Sequence, residues 1–123
     1  MPVVTALYAG LLGLMAIAVA MPPGRLRGAK GIPVGDGGDL ELTLAMRRQA
    51  NFIEFVPMAL ILIGLLEMNG VSALAIHGLG AALVIFRVCH AIGYPQQPLR
   101  AIGAGGSTLV LLVASVWAIV KFY

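Results

Sequence analysis

The sequence predicts an all-α protein: a single integral membrane domain over residues 1–123, built as a four-transmembrane-helix up-down-up-down bundle. Three observations carry this. Hydrophobic residues make up 60% of the 123 and charged residues 11%, against roughly 25% charged in soluble domains. Four apolar runs are each long enough for the roughly 20 residues a bilayer crossing needs. The breaks between them are short and rich in glycine, proline and charge, which places neighbouring helices antiparallel.

The first helix is expected from Pro2 to Met21. Ala18-Val19-Ala20 resembles a signal-peptidase site, but no positive region precedes the apolar run, which is also longer than a signal core. The segment therefore reads as a membrane span. Small residues at Ala6, Gly10, Gly13, Ala16 and Ala20 point to close helix packing. Pro22 and Pro23 lack backbone donors and are expected to end the helix. A glycine-rich loop, Gly24 to Leu40, follows. Its irregular backbone and its charges Arg25, Arg27, Lys30, Asp36 and Asp39 exclude it from hydrocarbon.

Asp39 is placed to cap the second helix, with Glu41 in the first turn. That helix is expected over Leu40–Met68, longer than the bilayer core requires. Its head carries Arg47, Arg48, Asn51 and Glu54, and Pro57 removes the bond to the Ile53 carbonyl, so a kink is expected there. Asn69-Gly70 forms a tight turn. The third helix is expected over Val71–Ile92, with small residues at Ala75, Gly78 and Ala82 and Gly93 as its C-cap. A polar loop from Tyr94 to Pro98 leads to the fourth helix, Leu99 to Phe122. Gly103, Gly106 and Ser107 permit close packing near its start. Trp117, Phe122 and Tyr123 suit an interfacial belt.

Arg25, Arg27, Lys30, Arg47, Arg48 and Arg100 all fall on the side of the first and third loops, and only Lys121 on the other. The positive-inside rule puts those loops in the cytoplasm. The net charge of +3 comes without a basic stripe and interleaved aromatics, so nucleic acid is not expected as a partner. Cys89 is the only cysteine and reads as a small packing residue. No metal-ligand cluster stands out.

Polar residues gather at one depth. Arg47, Asn51 and Glu54 share one face of helix two at i, i+4 and i+7. Arg87, His90 and Tyr94 share a face of helix three, and Arg100 opens helix four on the same side. Ionisable groups at membrane depth face a partner or a watery cavity. Arginines recognise carboxylates through forked hydrogen bonds. The inventory of Arg47, Gln49, Asn51, Glu54, His90, Tyr94 and Arg100 therefore suits a polar, net anionic small molecule. Each residue also has a plainer reading. Glu54 could pair with Arg87 or Arg47, Arg87 and His90 could serve packing, Tyr94 could anchor the interface, and Arg100 could only set orientation. His77 lies toward the opposite side.

Arg47-Arg48-Gln49-Ala50-Asn51-Phe52-Ile53-Glu54-Phe55-Val56-Pro57 resembles the helix-two signature of the MAPEG superfamily, the membrane-associated proteins in eicosanoid and glutathione metabolism. Arg87 with Gly93-Tyr94 resembles its second signature, and the closest likeness is to small bacterial members. The resemblance implies a homotrimer with glutathione as co-substrate, bound between subunits near the cytoplasmic face. It implies glutathione contacts at Arg47, Gln49, Asn51, Glu54 and Tyr94, with His90 in a position that is tyrosine in the eicosanoid enzymes. Arg100 is implied as the thiol activator, and either Arg25 or Arg27 as a further contact. Phe55 stands where those enzymes carry tyrosine, and the interval from Tyr94 to Arg100 is one residue shorter. The implied activity is that of a glutathione transferase or peroxidase, whose thiolate attacks lipophilic electrophiles or hydroperoxides delivered by membrane lipid. Two alternatives stand beside it. One is a small multidrug-type transporter using Glu54, and the other a bundle of this type without activity.

Overall fold

The computed structural model describes residues 1–93 and 98–123. Its elements are α1 (Val3–Lys30), α2 (Leu40–Met68), α3 (Ala73–Ile92) and α4 (Leu99–Phe122). All four are long and apolar enough to cross a membrane. There is no strand among the described residues. The interior is built from facing apolar side chains such as Leu12 and Val19 of α1, Phe52 and Ile63 of α2, Leu83 of α3 and Val110 of α4. Apolar residues also cover the outside, as at Leu14, Ile61, Ile85 and Ile119, as expected where lipid replaces water.

Helices α2 and α4 have the bounds expected from sequence. Asp39 caps α2 by accepting from the Leu42 N–H at 2.8 Å, and α2 continues unbroken through Pro57. Helix α3 starts two residues later than expected, at Ala73, because the Ser72 side chain accepts from the Ala75 N–H and acts as its N-cap. Gly93 closes α3 with its N–H on the Cys89 carbonyl.

Helix α1 departs from expectation. Pro22 and Pro23 lie inside it, and it runs on to Lys30. An interior proline costs about 3 kcal/mol, so the turns beyond must be held by other contacts. The Arg27 guanidinium donates to the carbonyls of Ile32 and Gly35 and to the Met46 sulfur. Lys30 bridges Asp39 at 2.8 Å and Glu41 at 2.9 Å. Gly31, at φ 66°, takes the left-handed conformation that closes a helix, and its N–H returns to the Arg27 carbonyl. The irregular part of the first loop thus shrinks to residues 31–39.

The far end of α1 is held just as firmly. Its first turn contains no acid, and Pro2 offers no side-chain cap. Glu67, from the end of α2, supplies one: its carboxylate accepts from the Val4 and Thr5 N–H groups at 2.8 Å and the Thr5 hydroxyl at 2.6 Å. Nearby, the buried Tyr8 hydroxyl meets His77 Nδ1 at 2.8 Å, and Gly80 leaves room for the Tyr8 ring. His77 is therefore a clamp between α1 and α3.

Small residues divide into two groups. On α4, a Cβ at Gly103 would strike the His90 backbone and the Phe86 carbonyl, and one at Gly106 the Phe86 ring; these glycines let α3 and α4 meet. On α1, the expected packing at Gly10 and Gly13 is absent among the described residues. Both face outward with open space around them, as does Gly78 of α3.

Two outcomes follow from these anchors. Glu67→Ala leaves α1 uncapped, so thermal unfolding in detergent should show a loss of about 1–2 kcal/mol. The Lys30 ammonium, followed by the Leu42 N–H, holds the Asp39 carboxyl below its ordinary range, and the Gly38 N–H with the Thr43 hydroxyl does the same for Asp36. Depressed carboxyl pKa values mean the first loop is fully tied above the ordinary carboxylate value of about 4, and released as pH falls through the lower folded values. Hydrogen exchange of residues 31–39 should accelerate in that acidic window and stay slow at neutral pH.

Candidate functional site

A cavity of about 380 Å³ opens where the head of α2, the end of α3 and the start of α4 converge. Its lining is Leu44, Arg47, Asn51, His90, Arg100, Ala101 and Ala104. The size falls within the range of small-molecule sites. Four of the residues singled out from sequence are therefore brought together by three helices. Arg47 and Asn51 share a face of α2 one turn apart. His90 arrives from the last turn of α3, and Arg100 from the first turn of α4. The close approach at Gly103 sets the spacing between His90 and Arg100, since any side chain there would meet His90 itself.

Behind the cavity lies Arg87, only 1% exposed. Its Nη1 donates to Asn51 Oδ1 at 2.7 Å and reaches Ser107 Oγ at 3.4 Å. Its Nη2 lies 3.4 Å from His90 Nδ1. The guanidinium carbon sits 5.4 Å from the centroid of the Phe52 ring, within cation–π range. The Ser107 hydroxyl donates to the Gly103 carbonyl at 2.8 Å, which leaves its lone pairs toward Arg87. Among the described residues no carboxylate pairs with Arg87, and its Nε has no hydrogen-bond partner. A buried cation is thus held by neutral acceptors and an aromatic face.

The other described sequence candidates fall elsewhere. Glu54 is exposed on the outside of the bundle and does not line the cavity. The ion pair of Glu54 with Arg87 or Arg47 is not formed; Glu54 keeps to the exposed side of α2 that Arg47 also occupies. Gln49 is half-buried and away from the cavity lining. Arg27 is committed to the first loop and Arg25 is exposed; neither lines the cavity. Tyr94 lies outside the described residues. No cluster of histidine, cysteine or acidic groups among the described residues could hold a metal.

Sequence reasoning assigned Arg87 a structural part and Ser107 only close packing. Their actual connection, through Asn51, joins α2, α3 and α4 at one point. Glu67 had not been singled out at all. Its signal was an acid on the last turn of an apolar helix, opposite an α1 whose first turn lacks any cap.

The MAPEG family model matches residues 5–120. The inner membrane protein YecN of Escherichia coli K12 is 33% identical over 119 residues, spanning 93% of this chain and 91% of that protein. The protein of the same name from Escherichia coli O6:H1 aligns equally. No solved structure matches the chain.

Removing the neutral acceptor closest to Arg87 tests the buried network directly. Asn51→Leu should lower the stability of the detergent-solubilised protein by about 1.5–3 kcal/mol, the value of a hydrogen bond to a charged group. Thermal or denaturant unfolding reads this loss.

Proposed function

The chain belongs to the MAPEG family, and from that premise we propose that it is a membrane glutathione-dependent enzyme, a transferase or peroxidase. The observation that carries the reading is the convergence of Arg47, Asn51, His90 and Arg100 on one cavity. Its polar lining is rich in donors and suits a ligand bearing carboxylates and a thiol. In this reading Arg47 and Asn51 hold the tripeptide backbone, with Gln49, Tyr94 and His90 completing its contacts. Arg100 lies beside the sulfur. A thiol of pKa about 8.5 is mostly protonated at neutral pH, and an adjacent guanidinium favours the thiolate. The thiolate attacks the electrophilic carbon of a lipophilic acceptor, or the peroxide oxygen of a lipid hydroperoxide, approaching from the bilayer. No protein nucleophile or metal is required.

Assembly belongs to the same proposal. Glu54 lies about 20 Å along α2 from Leu40 and is exposed in the single chain. An acid facing lipid at that depth is costly, and a neighbouring subunit would cover it. We therefore place this chain in a homotrimer of up-down-up-down bundles, with glutathione between subunits and Glu54 turned toward the shared site. The open faces at Gly10, Gly13 and Gly78 are available for such contacts. The first and third loops lie in the cytoplasm of a bacterial inner membrane, in keeping with the basic residues on that side and with the name of the Escherichia coli relative.

Calorimetry of the purified protein should show saturable glutathione binding, and a chlorinated nitroaromatic should be conjugated. No binding at millimolar glutathione rejects the reading. Arg100→Ala should retain binding but shift the pH–rate profile upward, with turnover at neutral pH falling about tenfold for each unit by which the thiol pKa rises. Unchanged turnover in that variant removes Arg100 as the activator.

A further inference from the structure

We propose that Arg87 sets the hydrogen-bonding polarity of the cavity, and so selects an anionic, acceptor-only group of the ligand. A guanidinium has five N–H donors and no acceptor. Every atom that bonds it must therefore be an acceptor. At Asn51 that atom is Oδ1, 2.7 Å from Nη1. The Asn51 carbonyl is thereby turned to Arg87, and its NH₂ group is the edge left to the cavity it lines. At His90 the same logic applies to Nδ1, 3.4 Å from Nη2. A ring nitrogen accepting from Arg87 carries the lone pair, so the hydrogen of the neutral imidazole is on Nε2, the other edge of the ring.

The consequence concerns the whole wall. The polar residues lining the cavity are Arg47, Asn51, His90 and Arg100. Two of them are donors by nature. The other two carry both a donor and an acceptor, and Arg87 takes the acceptor of each. Ser107 completes the arrangement from behind, because its own hydroxyl hydrogen is committed to the Gly103 carbonyl. With no carboxylate pairing it among the described residues, Arg87 also adds its positive charge to the cavity. Among the described residues lining the cavity, the polar edges turned to a ligand carboxylate or thiolate are donors, and the side-chain acceptors an ammonium needs are turned to Arg87. Arg87 is thus a positioning residue that reaches the ligand through Asn51 and His90. For glutathione this rests on the function proposed above. It assigns an anionic end of the tripeptide to this cavity and leaves the α-ammonium to an acid outside it, such as Glu54.

The tautomer of His90 decides the matter in ligand-free protein, independently of whether glutathione binds. The chain has two histidines, so His77→Gln assigns the His90 ring in nitrogen-15 spectra of the protein in lipid nanodiscs at neutral pH. The wild type should show the Nε2–H form alone. Arg87→Lys, still donor-only, should keep it, and Arg87→Met should admit the Nδ1–H form. An Nδ1–H ring in the wild type, or a Met variant identical to the wild type, overturns the proposal. If the Met variant does not fold, the wild-type tautomer alone decides. Glutarate and 1,5-diaminopentane then test the charge selection on the same samples. Glutarate should shift the His90 Nε2 and Asn51 Nδ2 resonances and diaminopentane should not. A response to the diamine equal to or greater than that to glutarate overturns the proposal. Loss of glutathione binding with both results intact would instead count against the tripeptide as ligand.

Discussion

A guanidinium without a carboxylate is the constraint on which one end of this bundle depends. Arg87 is buried beneath α2 and α4, and removing it from water is tolerable only if its donors are met. The chain meets those of Nη1 and Nη2 with an amide from α2, an imidazole from its own helix and a hydroxyl from α4, and sets the face of Phe52 against the guanidinium, leaving Nε without a partner among the described residues. Each partner comes from a different place in the sequence, so satisfying one charge fixes the relative positions of three helices. The cavity at Arg47, Asn51, His90 and Arg100 is the space left on the other side of that network. Its electrostatic character follows from what lies behind it.

At the opposite end of the bundle the sign is reversed. Glu67 gives its carboxylate to the exposed N–H groups of α1, where the helix dipole also favours negative charge. The Tyr8–His77 contact ties the next turn of α1 to α3. Together with the Arg27 and Lys30 contacts beyond Pro23, these anchors hold α1 at both ends. Its middle is apolar, with Leu12 and Val19 turned into the interior and Leu14 and Ile17 turned out. Hydrophobic burial contributes little to helix association within a bilayer. Few but well-satisfied polar contacts are a reasonable means of specifying which helix meets which. The glycine contact between α3 and α4 adds the steric part, allowing Phe86 and His90 to lie against the α4 backbone.

Local sequence rules were sufficient where the deciding interaction was itself local. The Asp39 cap and the bounds of α2 and α4 follow from residues within a few positions of one another. The Ser72 cap was equally local, but the apolar Val71 drew the expected start of α3 forward. Pro22 and Pro23 show the limit. Read alone they end a helix; in the folded chain they are outweighed by Arg27, Lys30 and Gly31 acting through the first loop and α2. The open face at Gly10 and Gly13 shows another limit, since small residues reveal that a close contact is possible without saying with what.

The sequence alone determined a membrane protein of four apolar helices, with arginine, asparagine and histidine gathered at one depth. It did so because hydropathy, helix length and helical periodicity are properties of contiguous segments. Tertiary structure alone decided that Asn51 and His90 present their acceptors to Arg87, that Glu54 stands on the outer surface of the single chain, and that Glu67 caps a helix more than sixty residues away. These depend on how separate helices are rotated against one another, and that rotation is set by where buried donors find acceptors and where a missing Cβ lets two backbones meet.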